Sequence, residues 1–153
     1  MNSRLLLATL VILLSFVASA REKRIYVYFN NPELELKDQS RKNSRVLLFN
    51  VYPVKRTVSS KELYQATLVE LLNGPTTAET DSGYFTTLQG LRLTWFSLHK
   101  GVASVELVGQ LHLAGTLSGP RLRMQVEKTL KQFPAVRKVV IVINGKRDFD
   151  SLK

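Results

Sequence analysis

Hydrophobic and polar side chains alternate from Arg24 to Asn30 (RIYVYFN), with aromatic and β-branched types prominent, and this period of two predicts a strand. Asn30-Asn31-Pro32 breaks it. Residues 33–44 (ELELKDQSRKNS) are polar and charged without apolar periodicity, which predicts an exposed loop. Residues 45–58 (RVLLFNVYPVKRTV) are extended again, with Pro53 marking an edge position or a bulge. The period then changes. Tyr64, Leu68, Leu71 and Leu72 recur at helical spacing behind Ser59-Ser60-Lys61-Glu62, a sequence that fits an S-x-x-E capping box. Asn73-Gly74-Pro75 stops this helix, Gly74 supplying the left-handed residue and Pro75 barring continuation.

After a Thr- and Gly-rich loop over residues 76–90, two strand-like runs at 91–98 and 102–108 flank His99-Lys100-Gly101. That is a hairpin signature, with Gly101 at positive φ. A linker, GQLHLAGTLSG, leads to Pro120 at the first position of a second helix. Its apolar stripe is Leu122, Val126, Leu130 and Phe133, and Pro134 stops it. Residues 137–144 (RKVVIVIN) are a continuous apolar run, the pattern of a central strand with two apolar faces. Asn144-Gly145 turns the chain into a polar tail. The order β-β-α-β-β-α-β predicts an α+β fold: a single mixed β-sheet with two helices packed on it.

Ahead of these elements, MNSRLLLATLVILLSFVASA places Arg4 before an uncharged run and ends in Ala18-Ser19-Ala20. This order predicts a signal peptide over residues 1–20, with Ala18 and Ala20 forming the A-x-A cleavage site. An uncleaved N-terminal anchor is the alternative, and it leaves the same domain on the same side. Residues 21–153 then form a single domain, long enough to bury about two-thirds of the surface its unfolded chain exposes.

Composition narrows the chemistry. With no cysteine, the 153-residue chain offers no disulfide framework, thiolate metal site, cysteine nucleophile or lipid-modified cysteine. Lys and Arg number 22 against 12 Asp and Glu, a net charge of +10. Outside a membrane such a surface meets wall polymers, lipid headgroups and acidic proteins, and nucleic acid is disfavoured as a partner there. The helix after Pro120 is itself basic, with Arg121, Arg123, Lys128 and Lys131.

Candidate catalytic groups are few. His99 and His112 stand in a turn and a linker, with no H-E-x-x-H and no third imidazole to complete a zinc site. No G-x-S-x-G elbow occurs, and Ser118-Gly119-Pro120 reads as a helix start. Local spacing brings no two carboxylates to the about 5–9 Å that glycoside hydrolysis needs. Glu62 belongs to the predicted cap, Glu70 to that helix's polar side, and Asp148 and Asp150 to the tail. Glu106, inside a strand pattern, is the carboxylate whose burial would matter. Tyr26, Tyr28 and Phe29 beside basic residues could form a stacking platform, but they read first as core, as does Trp95. Catalytic, metal and cofactor assignments are therefore none.

Six segments taken in order carry a family resemblance. They are Tyr28-Phe29; Pro53-Val54-x-Arg56-x-Val58; Leu71-Leu72-Asn73-Gly74-Pro75; and Gly101-Val102-x-x-Val105. Gln125-Val126-x-x-Thr129-Leu130-x-Gln132-Phe133-Pro134 and Val139-x-Ile141-x-Ile143-x-Gly145 complete them. Together they make residues 24–145 resemble the GerMN domain family, exported spore-germination GerM-like domains. Its characteristic positions here are Arg56, Asn73, Gly74, Pro75, Gln125, Thr129, Phe133, Pro134 and Gly145, mostly structural in reading.

The resemblance implies a fold like ring-building motifs and a non-enzymatic binding or assembly module of the bacterial cell envelope, related to sporulation or germination. Its partner would be an envelope protein or a second copy, with an exposed strand such as 24–30 or 45–52 open to edge addition. The alternative is a salt-sensitive binder of anionic wall polymer or of a membrane surface's headgroups, through the basic surface.

Overall fold

The computed structural model describes residues 21–42, 50–59, 61–112 and 115–147. The predicted signal peptide with Ala18 and Ala20 lies outside them, as do residues 45–49 of the segment expected to be extended and Asp148 and Asp150 of the tail. The elements are β1 (Glu22–Phe29), α1 (Pro32–Lys42), β2 (Tyr52–Ser59), α2 (Leu63–Leu72), α3 (Thr77–Asp81), β3 (Leu91–His99), β4 (Val102–Gly109), α4 (Ser118–Lys131) and β5 (Lys138–Ile143).

The fold is α+β, and the predicted strands and two main helices are all present. The strands divide between two sheets rather than forming one: an antiparallel β1–β2 pair and a mixed sheet in the order β3-β4-β5. β3 runs antiparallel to β4, and β5 parallel to it. β5 is therefore an edge strand and β4 the central one. The apolar run of β5 misleads because only Val139, Ile141 and Ile143 face the core, while Val140 and Val142 are half-buried on the other side.

α2 packs on β1, β2 and β3, and α4 packs on β1, β5 and α2. Between them lie Ile25, Val27 and Phe29 of β1, Leu68 and Leu71 of α2, and Ala103, Val105 and Leu107 of β4. Leu122, Val126 and Leu130 of α4 join them, as the helical stripe predicts. Tyr64 binds the helices to β3 through a stacked contact with Phe96, centroids 5.5 Å apart, and an edge contact with Phe133 at 5.0 Å. The β3–β4 turn has both Lys100 (φ 48°) and Gly101 (φ 81°) in the left-handed region, the type I′ geometry that suits a twisted hairpin.

Five local expectations change. Residues 32–42 are helical instead of a loop. Pro32 opens the helix, Asn31 Oδ1 accepts from the Leu34 N–H at 3.2 Å, and Glu33 and Glu35 complement the first turn's dipole. Its contacts are polar, Glu35 to Arg121 and Asp38 to Tyr52, so no apolar stripe announces it.

The capping box expected at Ser59–Glu62 does not form. Ser59 stays in β2 opposite Glu22, and α2 begins behind Glu62 without a side-chain cap. The box stands instead at Thr76 and Glu79, opening α3 inside the stretch read as a loop. α4 begins at Ser118, so Pro120 lies inside its first turn. Trp95 is 52% exposed rather than core: a bulge between Leu93 and Trp95 keeps Leu91, Leu93 and Phe96 inward and turns Trp95 outward.

Candidate functional site

β1 needs a hydrogen-bonding partner on each edge. One edge takes β2, in a register that sets Ile25 opposite Arg56 and Tyr28 opposite Pro53. The other is closed by side chains of α4. Gln125, Thr129 and Gln132 recur at helical spacing and stand over the strand. Thr129 Oγ1 accepts from the Tyr28 N–H at 3.1 Å, and Gln125 Nε2 donates to the Tyr28 carbonyl at 3.3 Å. Gln132 does both for Tyr26: its Oε1 accepts from the N–H at 2.9 Å, and its Nε2 donates to the carbonyl at 2.7 Å.

Since Tyr28 turns both backbone groups toward α4, Tyr28 and Pro53 are a non-hydrogen-bonded pair, and the missing N–H of Pro53 costs the ladder nothing. Edge addition at 24–30 is thus closed off. β2's outer edge is blunted by Pro53 and by the Arg56 guanidinium, which donates to the Lys55 carbonyl at 3.0 Å.

Gln125 is wholly buried and joins a second segment to the same helix. Its Oε1 accepts from Asn30 Nδ2 (3.0 Å), the Thr87 N–H (3.0 Å) and Thr87 Oγ1 (2.8 Å), while Nε2 also donates to Thr86 Oγ1 (3.1 Å). Asn30 in turn pairs through its backbone with Phe85. The loop over residues 84–90 is therefore pinned from below by a buried amide. The Oδ1 of Asn30 is buried without a donor, the one unmet demand among the described side chains of this hub.

Arg56 makes the second brace. Its guanidinium grips Glu79 in a bidentate pair, both contacts 2.7 Å, with Glu70 at 3.6 Å and the Phe29 ring 6.0 Å away. Glu79 also accepts from the Thr76 N–H at 2.8 Å. The Arg56 hydrogen bonds hold the Glu79 carboxyl below the usual carboxylate range, and the same pairing raises Arg56 above its ordinary value. Nearby, burial and a hydrogen bond to Asp38 (3.0 Å) push the Tyr52 hydroxyl up to about 12.

These braces surround an open recess of about 400 Å³. Asn73, Gly74 and Pro75 form one wall, Thr80 of α3 another, and Tyr84, Thr86 and Gln89 of the pinned loop a third. Gly74 sits at φ 77°, and a Cβ there would touch Thr86 Cγ2 at 3.4 Å, so glycine serves both the turn and the close approach. The recess carries no charged side chain. A flank of about 230 Å³ shares Leu72 and Asn73 with it and adds Val69, which is 46% exposed, and Leu93. A third cavity, about 340 Å³, shares Phe85, Thr86 and Gln89 and is bounded by His112, Ser118 and Arg121, the last paired with Glu35 at 3.0 Å.

The family-type positions therefore group. Asn73, Gly74 and Pro75 line the recess, while Gln125 and Arg56 hold its other walls through Thr86 and Glu79. Thr129 closes the β1 edge, and Phe133 packs on Tyr64. Pro134 follows α4 in an exposed turn, and Gly145 (φ 78°) occupies the turn after β5. The residues considered for catalysis do not gather: His99 and His112 are exposed and Glu106 is half-buried on the outward face of β4. Among the described residues, no group of three His, Asp or Glu could hold a metal ion, and no helix is long and apolar enough to cross a membrane. The loop residues Thr86, Thr87 and Gln89 had no sequence signal, whereas the T-x-x-E of Thr76–Glu79 was readable.

Comparison with known proteins agrees with this architecture. A family model described as Germane, sporulation and spore germination, matches residues 26–148. The tandem GerMN domains of the sporulation protein GerM from Bacillus subtilis are similar at a TM-score of 0.56 and 19% identity, over 82% of this chain and 40% of that one. The first GerMN domain of the same protein gives a TM-score of 0.53 at 19% identity, over 82% of this chain and 85% of that one. This chain thus spans less than half of the tandem structure and most of the single domain. No curated protein matches.

Proposed function

The chain belongs to the Germane family of sporulation and spore germination, and from that premise we propose that it is a non-enzymatic, extracytoplasmic binding and assembly module of the cell envelope. The observation that carries this reading is the convergence of Arg56, Asn73, Gly74, Pro75 and Gln125 on one recess. Two braces and a tight turn hold its walls, with the Arg56 guanidinium and the Gln125 amide committed to those braces. Neutral amides and hydroxyls at Asn73, Thr80, Thr86 and Gln89 suit the backbone of a peptide, and exposed Val69 with Leu72 and Leu93 gives an apolar anchor beside them. A segment of an envelope protein, or of a second copy, fits such walls. The apolar run and A-x-A site at 1–20 support export.

Site-specific photocrosslinking in cells tests the proposal, with the crosslinker at Gln89 or Val69 and a control at Lys138, in β5 on the opposite edge of the sheet from β3. Defined protein adducts from the first two positions are expected, and those from Gln89 should be lost in a Val69→Asp variant that keeps its melting temperature. Adducts arising equally from Lys138, or unaffected by Val69→Asp, would remove the recess from the interface.

A further inference from the structure

The outward face of the β1–β2 pair carries a second arrangement, independent of the recess. Burial of Ile25, Val27 and Phe29 sends Arg24, Tyr26 and Tyr28 to the opposite side. The register sets them across from Thr57, Lys55 and Pro53. Tyr26 is 41% exposed, and Arg24 and Lys55 are exposed beside it. Lys55 is its direct cross-strand neighbour, at a Cβ separation of about 5 Å. Arg24 stands two residues back, about 6.8 Å along the strand.

The third cation comes from α4. Gln125, Thr129 and Gln132 face the β1 edge, and the core stripe of Leu122, Val126 and Leu130 lies to one side of them. At about 100° per residue, Lys128 falls on the other side, which is the side of the sheet's outward face. Lys128 is exposed. None of Arg24, Lys55 and Lys128 has a carboxylate partner among the described residues, whereas Arg56, Arg121 and Lys131 all do. The outward acid of this strand pair is Glu22, at its far end.

We infer that this face, centred on Tyr26 with Arg24, Lys55 and Lys128, binds a linear anionic polymer of phosphorylated polyol or sugar units. The cations match the repeating negative charge of such a chain, and the ring offers a flat apolar surface to the C–H faces between charges. The strip is open along the strand, so it suits a polymer that runs through it. A bilayer interface also accommodates a tyrosine ring, so vesicles are the competing ligand in the test.

The test uses the purified protein and fluorescently labelled poly(glycerol phosphate), followed by polarisation. Affinity should fall at least about tenfold between about 50 and 300 mM NaCl, as the screening length shortens. Lys55→Glu and Lys128→Glu should each weaken binding about tenfold at low salt. Tyr26→Ala should weaken it about fivefold at both salt concentrations, because stacking is not screened. The control Arg92→Glu with Lys138→Glu, which changes the net charge more but sits on the other sheet, should leave binding unchanged. Loss of binding in the control equal to that of Lys55→Glu would make the effect one of net charge and overturn the site. Equal binding of Tyr26→Ala, tighter binding to phosphatidylglycerol vesicles, or tighter binding to single-stranded DNA would overturn the assigned occupant. Unchanged melting curves for each variant separate all of these from misfolding.

Discussion

β1 and β4 each lie between two lateral neighbours, but the neighbours are made of different things. β4 has strands on both sides, so backbone meets backbone from Val102 to Leu107. β1 has a strand on one side and the side chains of Gln125, Thr129 and Gln132 on the other. A backbone ladder accepts any residue that fits the pleat. An edge built from side chains accepts only residues with the right donors and acceptors at the right spacing. That difference accounts for the family-type pattern in α4, where polar residues at fixed intervals stand inside a buried helix face, and it makes the two halves of the molecule fragile in different ways.

The sharpest way to break the comparison is Gln125→Ala. It removes five hydrogen bonds at once and leaves the buried Asn30 amide and the half-buried Tyr28 carbonyl and Thr87 N–H without partners. At about 1–3 kcal/mol per orphaned group, partly relieved by relaxation, the loss should be about 4 kcal/mol by chemical denaturation. A loss below about 1 kcal/mol would mean that water replaces the amide and that the edge is not side-chain-built in energetic terms.

Glu79→Gln comes next, at about 2 kcal/mol, since it keeps the shape and removes the charge facing Arg56. Its pH dependence has a definite sign. The Glu79 carboxyl is held below its ordinary value of about 4.3 by Arg56, so its contribution is whole above that value. It is lost as pH falls through the lowered folded value. Melting temperature against pH should therefore drop on the acid side in the native protein, and drop less steeply in Glu79→Gln. Parallel curves would show that the pair contributes nothing net.

How much of this was legible follows from where the signals live. The β3–β4 hairpin and the stripe of α4 were readable because apolar periodicity and a Lys100-Gly101 turn are local features. α1 was missed because its contacts, Glu35 with Arg121 and Asp38 with Tyr52, are polar and distant in sequence. The two-sheet arrangement was missed for a related reason. Whether β1 joins β5 or is closed by a helix depends on Gln125 reaching Tyr28, 97 residues away, and no window of sequence contains both. The recess is half legible: Asn73-Gly74-Pro75 announces a helix stop, but only the fold brings Thr86 and Thr80 against it.

The finest division comes from two variants of nearly matched expected cost. Thr129→Val keeps the shape and removes one hydroxyl, leaving the Tyr28 N–H without an acceptor, for an expected loss of about 1.5 kcal/mol. Ile141→Val removes one methylene from a side chain 1% exposed in β5, for about 1 kcal/mol. The numbers are close, so stability alone is a weak discriminator, and amide hydrogen exchange is the better readout. In Thr129→Val the Tyr28 amide should exchange much faster while Val105 in β4 keeps its protection, because only one bond of a side-chain edge has gone. In Ile141→Val every core amide should speed up together through the global equilibrium, with no site singled out. If Tyr28 and Val105 respond alike to Thr129→Val, β1 and β4 open as one unit, and the edge sealed by α4 is no weaker than the ladder between strands.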